Sequence, residues 1–260
     1  MPNPNGFPIW YELRAEDPDA AKAFYADAVK WAIGDRPSSG MDYRMIAAPD
    51  GNVGGLTALT DDMGARGAKP DWRLYIGVDD VDATADKVRA AGGQVLIDPW
   101  DLEGVGRMCV VADPQGISFT IMRGAHDGAT STAFQQSGNG HCCWNELASP
   151  DAEAAKAFYG AVFGWAFPHS MPMGEAGEYS FTHVGDQVIG AVMNAFHSPP
   201  GWLFYFGVDE IGAAVNRVTA GGGTVQHGPV EVPGGAWIIV ATDPSGTRFG
   251  LVGPYENDVE

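Results

Sequence analysis

The sequence predicts an α+β fold of two tandem domains, each built from two units of strand–helix–strands. Three observations carry that expectation. First, the stretch from Trp144-Asn145-Glu146-Leu147 through Asp151, Lys156 and Phe158-Tyr159 to Trp165 has a copy 134 positions earlier, from Trp10-Tyr11-Glu12-Leu13 through Asp17, Lys22 and Phe24-Tyr25 to Trp31. Second, Trp72 matches Trp202, Tyr75 matches Tyr205, Gly77-Val78-Asp79 matches Gly207-Val208-Asp209, and the Asp113-Pro114-Gln115-Gly116 turn matches Asp243-Pro244-Ser245-Gly246. Third, residues 125–140 are rich in Gly, Ser, Thr and Gln and read as a linker. The expected domains are therefore 1–124 and 141–260.

Phe7 to Leu13 reads as a strand with Phe7, Ile9 and Tyr11 on one face and Trp10 and Glu12 on the other. Asp17 offers a helix N-cap and Pro18 follows at the first helical position, where its missing N–H costs nothing. Ala21, Phe24, Ala28 and Trp31 share one helical stripe, with Gly34 and Pro37 as the stop. Tyr43–Ala48 and Val53–Leu59 read as strands joined by Pro49-Asp50-Gly51-Asn52. Asp61 to Asp71 reads as a polar connection.

The second unit opens with a strand over Arg73–Val78. Asp80 then caps a helix that carries Val81, Ala85 and Val88 on one face and ends at Gly92-Gly93. Gln94–Ile97 reads as a short strand, and Met108–Ala112 with Ile117–Met122 as a hairpin. The second half repeats the order. Strands are expected over Tyr179–Val184, Gln187–Met193 and Trp202–Val208, and a helix over Asp209 to Ala220. A short strand at Thr224–Gln226 and a hairpin of Trp237–Thr242 with Thr247–Val252 complete it.

Composition narrows the functional classes. The 260 residues are 45% hydrophobic and 11% aromatic, so each half has the means to bury a core. A formal charge of −18 argues against nucleic acid or an anionic membrane as partner; it suits an ordinary acidic surface or a cationic ligand. No stretch approaches the ~20 apolar residues of a membrane span, and the N-terminal residues lack the basic and apolar regions of a signal peptide. Cys142 and Cys143 are adjacent and point opposite ways on a strand, so reduced thiols in a cytoplasmic protein are expected. The sequence does not reveal an oligomeric state.

The order of the motifs resembles the vicinal oxygen chelate superfamily of glyoxalase I, bleomycin-resistance proteins and extradiol dioxygenases. The resemblance rests on the opening strand, the Asp-x-x-x-Ala-x-x-Phe-Tyr helix, the Gly-Val-Asp strand end, the helix ending in Ala-Gly and the Asp-Pro-x-Gly hairpin, and it covers both halves. It implies a pair of βαβββ units per half, forming a curved mixed sheet around a cavity. It also implies places for metal ligands. The first lies seven residues before the helix cap, at Trp10 and Trp144. Its counterparts in the second units are Arg73 and Leu203. A further ligand lies near the end of each last strand, at Thr120 and Gly250, and another near Gly55 and Gly190. None is His, Asp, Glu or Cys, so no metal or other cofactor is expected, in departure from the metalloenzymes of the superfamily.

Strand parity puts Trp10 and Glu12 with Arg73, Tyr75 and Thr120 in the first cavity, and Trp144 and Glu146 with Leu203 and Tyr205 in the second. Glu12 and Glu146 have two readings. Each is a general base in an aromatic site, or each accepts hydrogen bonds from Tyr75 and Tyr205 in a polar core. Trp10 and Trp144 are either core packing or stacking platforms, whereas Trp72 and Trp202 read as core. His141-Cys142-Cys143 is not read as a metal cluster, because consecutive strand residues cannot all face one ion. His169, His183, His197 and His227 read as surface or loop residues. The expectation is a protein that binds a small aromatic or cationic molecule in one or both cavities. The alternative is a superfamily enzyme of lyase, isomerase or dioxygenase type with Glu12 or Glu146 as base.

Overall fold

The computed structural model describes residues 3–65, 67–126, 128, 130–196 and 198–256. His197 lies outside them. The first repeat consists of β1 (Phe7–Ala15), α1 (Pro18–Ala28), β2 (Ala32–Ile33), β3 (Tyr43–Ala48), β4 (Gly51–Ala58), α2 (Asp61–Ala65), β5 (Asp71–Gly77), α3 (Val81–Ala90), β6 (Gln94–Leu102), β7 (Gly106–Ala112) and β8 (Ser118–Gly124). The second consists of β9 (Cys142–Ser149), α4 (Ala152–Phe163), β10 (Ser170–Pro172), β11 (Glu178–Val184), β12 (Gln187–Asn194), β13 (Gly201–Gly207), α5 (Ile211–Ala220), β14 (Thr224–Glu231), β15 (Trp237–Thr242) and β16 (Arg248–Gly253).

Each repeat forms one eight-stranded mixed sheet. The strand orders are β2-β3-β4-β1-β5-β8-β7-β6 and β10-β11-β12-β9-β13-β16-β15-β14, and neither closes into a barrel. Parallel pairs β1/β4 and β5/β8 alternate with antiparallel hairpins, and the second sheet repeats this with β9/β12 and β13/β16. The two tandem α+β domains read from the repeats are thus present. No helix among the described residues is long and apolar enough to cross a membrane.

The helix starts follow from their caps. Asp17 accepts from the amides of Asp19 and Ala20, each at 3.0 Å, and Asp151 accepts from Ala154 N at 3.0 Å. Helix α5 begins at Ile211 and not at the expected Asp209, with Glu210 as its cap. Helix α1 ends at Ala28, not at Gly34. Lys30 takes a left-handed φ of 67°, and Gly164 takes φ 74° at the matching place in the second repeat. The turn swings Trp31 out of the helix and into the core, where it is 4% exposed. Strands β6 and β14 run well past the expected Ile97 and Gln226. They continue through register shifts and past Pro99 and Pro229, which edge strands tolerate because one side of the ladder is unpaired.

Compact packing divides the chain differently from the repeats. One unit joins Met1–Trp10, Arg73–Ser131 and Trp144–Trp202; the other joins Tyr11–Trp72, Thr132–Cys143 and Leu203–Glu260. Each therefore combines the second module of one repeat with the first module of the other. In the first unit Phe119 packs on Phe158, Tyr159 and Phe163, with centroids 5.6–6.5 Å apart. The Tyr159 hydroxyl donates to Asp113 Oδ2 at 3.3 Å. In the second unit Phe249 packs on Phe24 and Tyr25, and the Tyr25 hydroxyl donates to Asp243 Oδ2 at 3.2 Å.

These contacts give the two repeated motifs a joint purpose. The Asp of each Asp-Pro-x-Gly turn holds its own turn through one oxygen, Asp113 Oδ1 accepting from Gln115 N and Ile117 N at 2.9 Å. The other oxygen takes the helix tyrosine of the opposite repeat. Part of the stretch read as linker is also built in. Ala133 and Phe134 are buried in the second unit, and the His141 ring there lies between Thr132 O at 2.6 Å and Asp50 Oδ1 at 2.8 Å.

Candidate functional site

Within the first unit, strand β9 alternates. Asn145 and Leu147 are buried, while Trp144 and Glu146 stand half-buried on the opposite face. Strand β11 shows the same half-buried side with Tyr179 and Phe181. Ala191 of β12 lies between, in register with both Glu146 and Phe181. Across this row the Trp144 indole Nε1–H donates to the Tyr179 hydroxyl at 2.7 Å, and that hydroxyl donates to Glu146 Oε2 at 2.9 Å. Phe181 stands edge-on to both rings, 6.0 Å from Trp144 and 5.8 Å from Tyr179.

The second unit holds the matching group of the first repeat. Glu12, 8% exposed, is in register with Gly55. The Tyr43 hydroxyl lies over Gly55, and a Cβ there would run into it. Tyr43 occupies the place of Tyr179, but Met45 replaces Phe181 and Gly55 replaces Ala191. The first repeat therefore has one ring fewer and a tyrosine lying over a glycine.

The remaining expected site residues fall on the central strands. In the first unit, half-buried Arg73 and Tyr75 lie on β5, and Tyr75 is in register with buried Thr120. Trp10 is half-buried on β1. In the second unit, Tyr205 is in register with Gly250, and its ring covers that glycine so closely that a Cβ would strike Cδ1. Trp72 is core, packed against Tyr25, Trp31 and Phe206 with centroids 4.8–5.6 Å apart.

These residues do not fit a metal of the superfamily type. Trp10, Trp144 and Leu203 carry no lone pair for a divalent ion, Arg73 is itself a cation, and the Tyr205 ring fills the space into which a ligand at position 250 would project. Among the described residues no three His, Cys, Asp or Glu side chains are grouped to hold an ion. Cys109 and Cys143 make poor nucleophiles, because burial pushes their thiols up to about 11.

Sequence reading missed Tyr179 and Tyr43 as site residues. The signal was present: the tyrosines recur in both repeats, offset by 136 positions where the preceding motifs are offset by 134. The reach of Tyr179 to Glu146 crosses strand β12, which periodicity along one strand does not report.

Fold and site together define a two-repeat α+β protein whose repeats keep the superfamily's frame and a carboxylate among aromatic rings. The chain belongs to the Glyoxalase/Bleomycin resistance protein/Dioxygenase superfamily, whose family profile matches residues 9–121 and 139–251. It is 34% identical over 253 residues to "Putative glyoxylase CFP32" of Mycobacterium tuberculosis, covering 96% of this chain and 95% of that protein. It is 29% identical to "Anthracycline biosynthesis protein DnrV" of Streptomyces peucetius, covering 95% of this chain and 93% of that protein. Among solved structures, the Mn(II)-bound glyoxalase from Novosphingobium aromaticivorans shares the fold with a TM-score of 0.67 at 19% identity, covering 97% of this chain and 83% of that one.

Proposed function

We propose that this protein binds a small aromatic or cationic molecule on the half-buried sheet face of one or both repeats, without a metal of the superfamily type. The observation that carries this reading is the Trp144–Tyr179–Glu146 chain, with Phe181 edge-on beside it. Rings offer flat apolar area for stacking, and one carboxylate among them fixes orientation. Similarity to proteins named for anthracycline biosynthesis supports a polycyclic aromatic ligand class. The departures at Trp10, Arg73, Thr120, Trp144, Leu203 and Gly250 support metal-free binding.

The competing reading is a superfamily enzyme in which Glu146 or Glu12 is a general base; similarity to a protein named as a glyoxylase supports it. Native mass spectrometry of freshly purified protein, without added metal, tests the proposal. The expected spectrum shows chain without a divalent ion and, on titration, an adduct with a planar aromatic compound. A stoichiometric divalent ion would overturn the metal-free reading. Glu146→Gln separates binder from enzyme: a base variant keeps ligand affinity and loses turnover, whereas a binding variant loses affinity.

A further inference from the structure

We propose that His169 and His183 form a binding site for a soft monovalent metal ion, copper(I), at the edge of the second repeat. The site is separate from the superfamily's metal places and independent of the small-molecule reading above.

Strand register brings the two histidines together. β10 pairs with β11 as Ser170↔Ser180 and Met171↔Tyr179, and the Phe181 amide donates to the His169 carbonyl at 2.9 Å, so His169 stands opposite Phe181. His183 follows two residues after Phe181 and shares its half-buried face, while Ser180, Thr182 and Val184 are buried on the other. The two imidazole centroids are 6.0 Å apart, with the rings at 65°. Among the described residues neither ring has a hydrogen-bond partner for its nitrogens. Two adjacent imidazoles thus keep their lone pairs uncommitted.

The separation selects the ion. With a metal–nitrogen bond of about 2 Å and about 1.1 Å from ring centre to nitrogen, two imidazoles in line across one ion have centroids about 6 Å apart, and at a tetrahedral angle about 5 Å. The observed spacing fits the in-line arrangement, which two-coordinate copper(I) adopts and four-coordinate zinc does not. His169 is exposed, so its ring can turn a nitrogen toward the ion without repacking the sheet. Copper(I) accepts a soft third donor, and Met171 offers one. It lies two residues beyond His169 on the same face, and a thioether favours copper(I) over harder divalent ions.

The first repeat provides the comparison. Its Ala32↔Ala47 pair matches the Ala166↔His183 bridge, so one backbone position carries Ala47 in the first repeat and His183 in the second. At the place of His169 stands Asp35, ion-paired with Lys22 at 2.6 Å. The first repeat therefore lacks both imidazoles, and the ion is assigned at one per chain.

Anaerobic titration of the intact protein with copper(I), in competition with the chromophoric chelator ferrozine, tests this. The expected result is that each chain withdraws one copper(I) from the chelator. His183→Ala, which installs the residue of the first repeat, and His169→Asn should each weaken binding at least about tenfold, and Met171→Leu by a smaller factor. His227→Gln, at an exposed histidine on β14, should leave it unchanged. Circular dichroism matching the parent shows that a loss of binding in a variant is not a loss of fold. Copper(I) held equally by both site variants is bound elsewhere, at the thiols or the surface, and overturns the proposal, as does no uptake by the parent. Zinc(II) bound more tightly than copper(I), with the same dependence on His169 and His183, overturns the choice of ion.

Discussion

Tyr25 and Tyr159 are fully buried ionisable side chains, one in each core. Burial first, and the adjacent Asp243 or Asp113 carboxylate second, push both phenols well above the ordinary tyrosine value. The native state then keeps a proton that the unfolded chain releases above about pH 10. Stability is therefore unaffected below that pH and declines as pH rises past it. Of the eight tyrosines, these two should stay silent in a near-UV absorbance titration until the protein unfolds. Tyr159→Phe should show as many reversibly titrating phenols as the parent; one fewer would place Tyr159 in contact with solvent. Sequence parity anticipated which β9 residues share a face, since Trp144 and Glu146 do stand together. It did not anticipate their link through Tyr179, because that contact depends on how strands β9, β12 and β11 lie side by side and not on spacing along any one of them.

Among the elements, the end of α1 shows most directly what the chain conceals. The left-handed turn falls at Lys30, where a side chain is disfavoured, while the second repeat uses Gly164 for the same turn. Read alone, the first repeat points to Gly34 as the stop; aligned with its copy, it points to Lys30. Lys30→Gly should raise stability by ~1 kcal/mol in urea unfolding, the relief of the backbone outweighing an exposed pair with Asp27. Unchanged or lower stability would mean that the Lys30 side chain contributes more than its geometry shows. The caps at Asp17, Asp80 and Asp151 were legible because a cap is a local event written in adjacent residues. The short β2, β10 and α2 were not, since two to five residues are too few to establish a period. The extension of β6 and β14 depended on neighbours β7 and β15 that a local reading does not see.

For the whole molecule, the duplication was plain in the sequence, but the exchange of modules between compact units was not. Spacing shows that two things are copies; it does not show which copy packs with which. The exchange predicts that a protease site placed at Gly128 should yield a nicked chain whose halves stay together in size-exclusion chromatography, and separate only in denaturant. Independent elution of two half-length fragments under native conditions would contradict the unit boundaries. The exchange also sets a schedule during synthesis. Phe24 and Tyr25 emerge early from the ribosome, yet their partners Phe249 and Asp243 lie more than two hundred residues further on, Tyr25 and Asp243 being 218 apart. At ordinary elongation rates this is a wait of roughly 10–40 s with an aromatic helix face uncovered. Helix α1 thus waits for β16, and the strand that carries Phe249 closes a helix whose Tyr25 was made 218 residues before its partner Asp243.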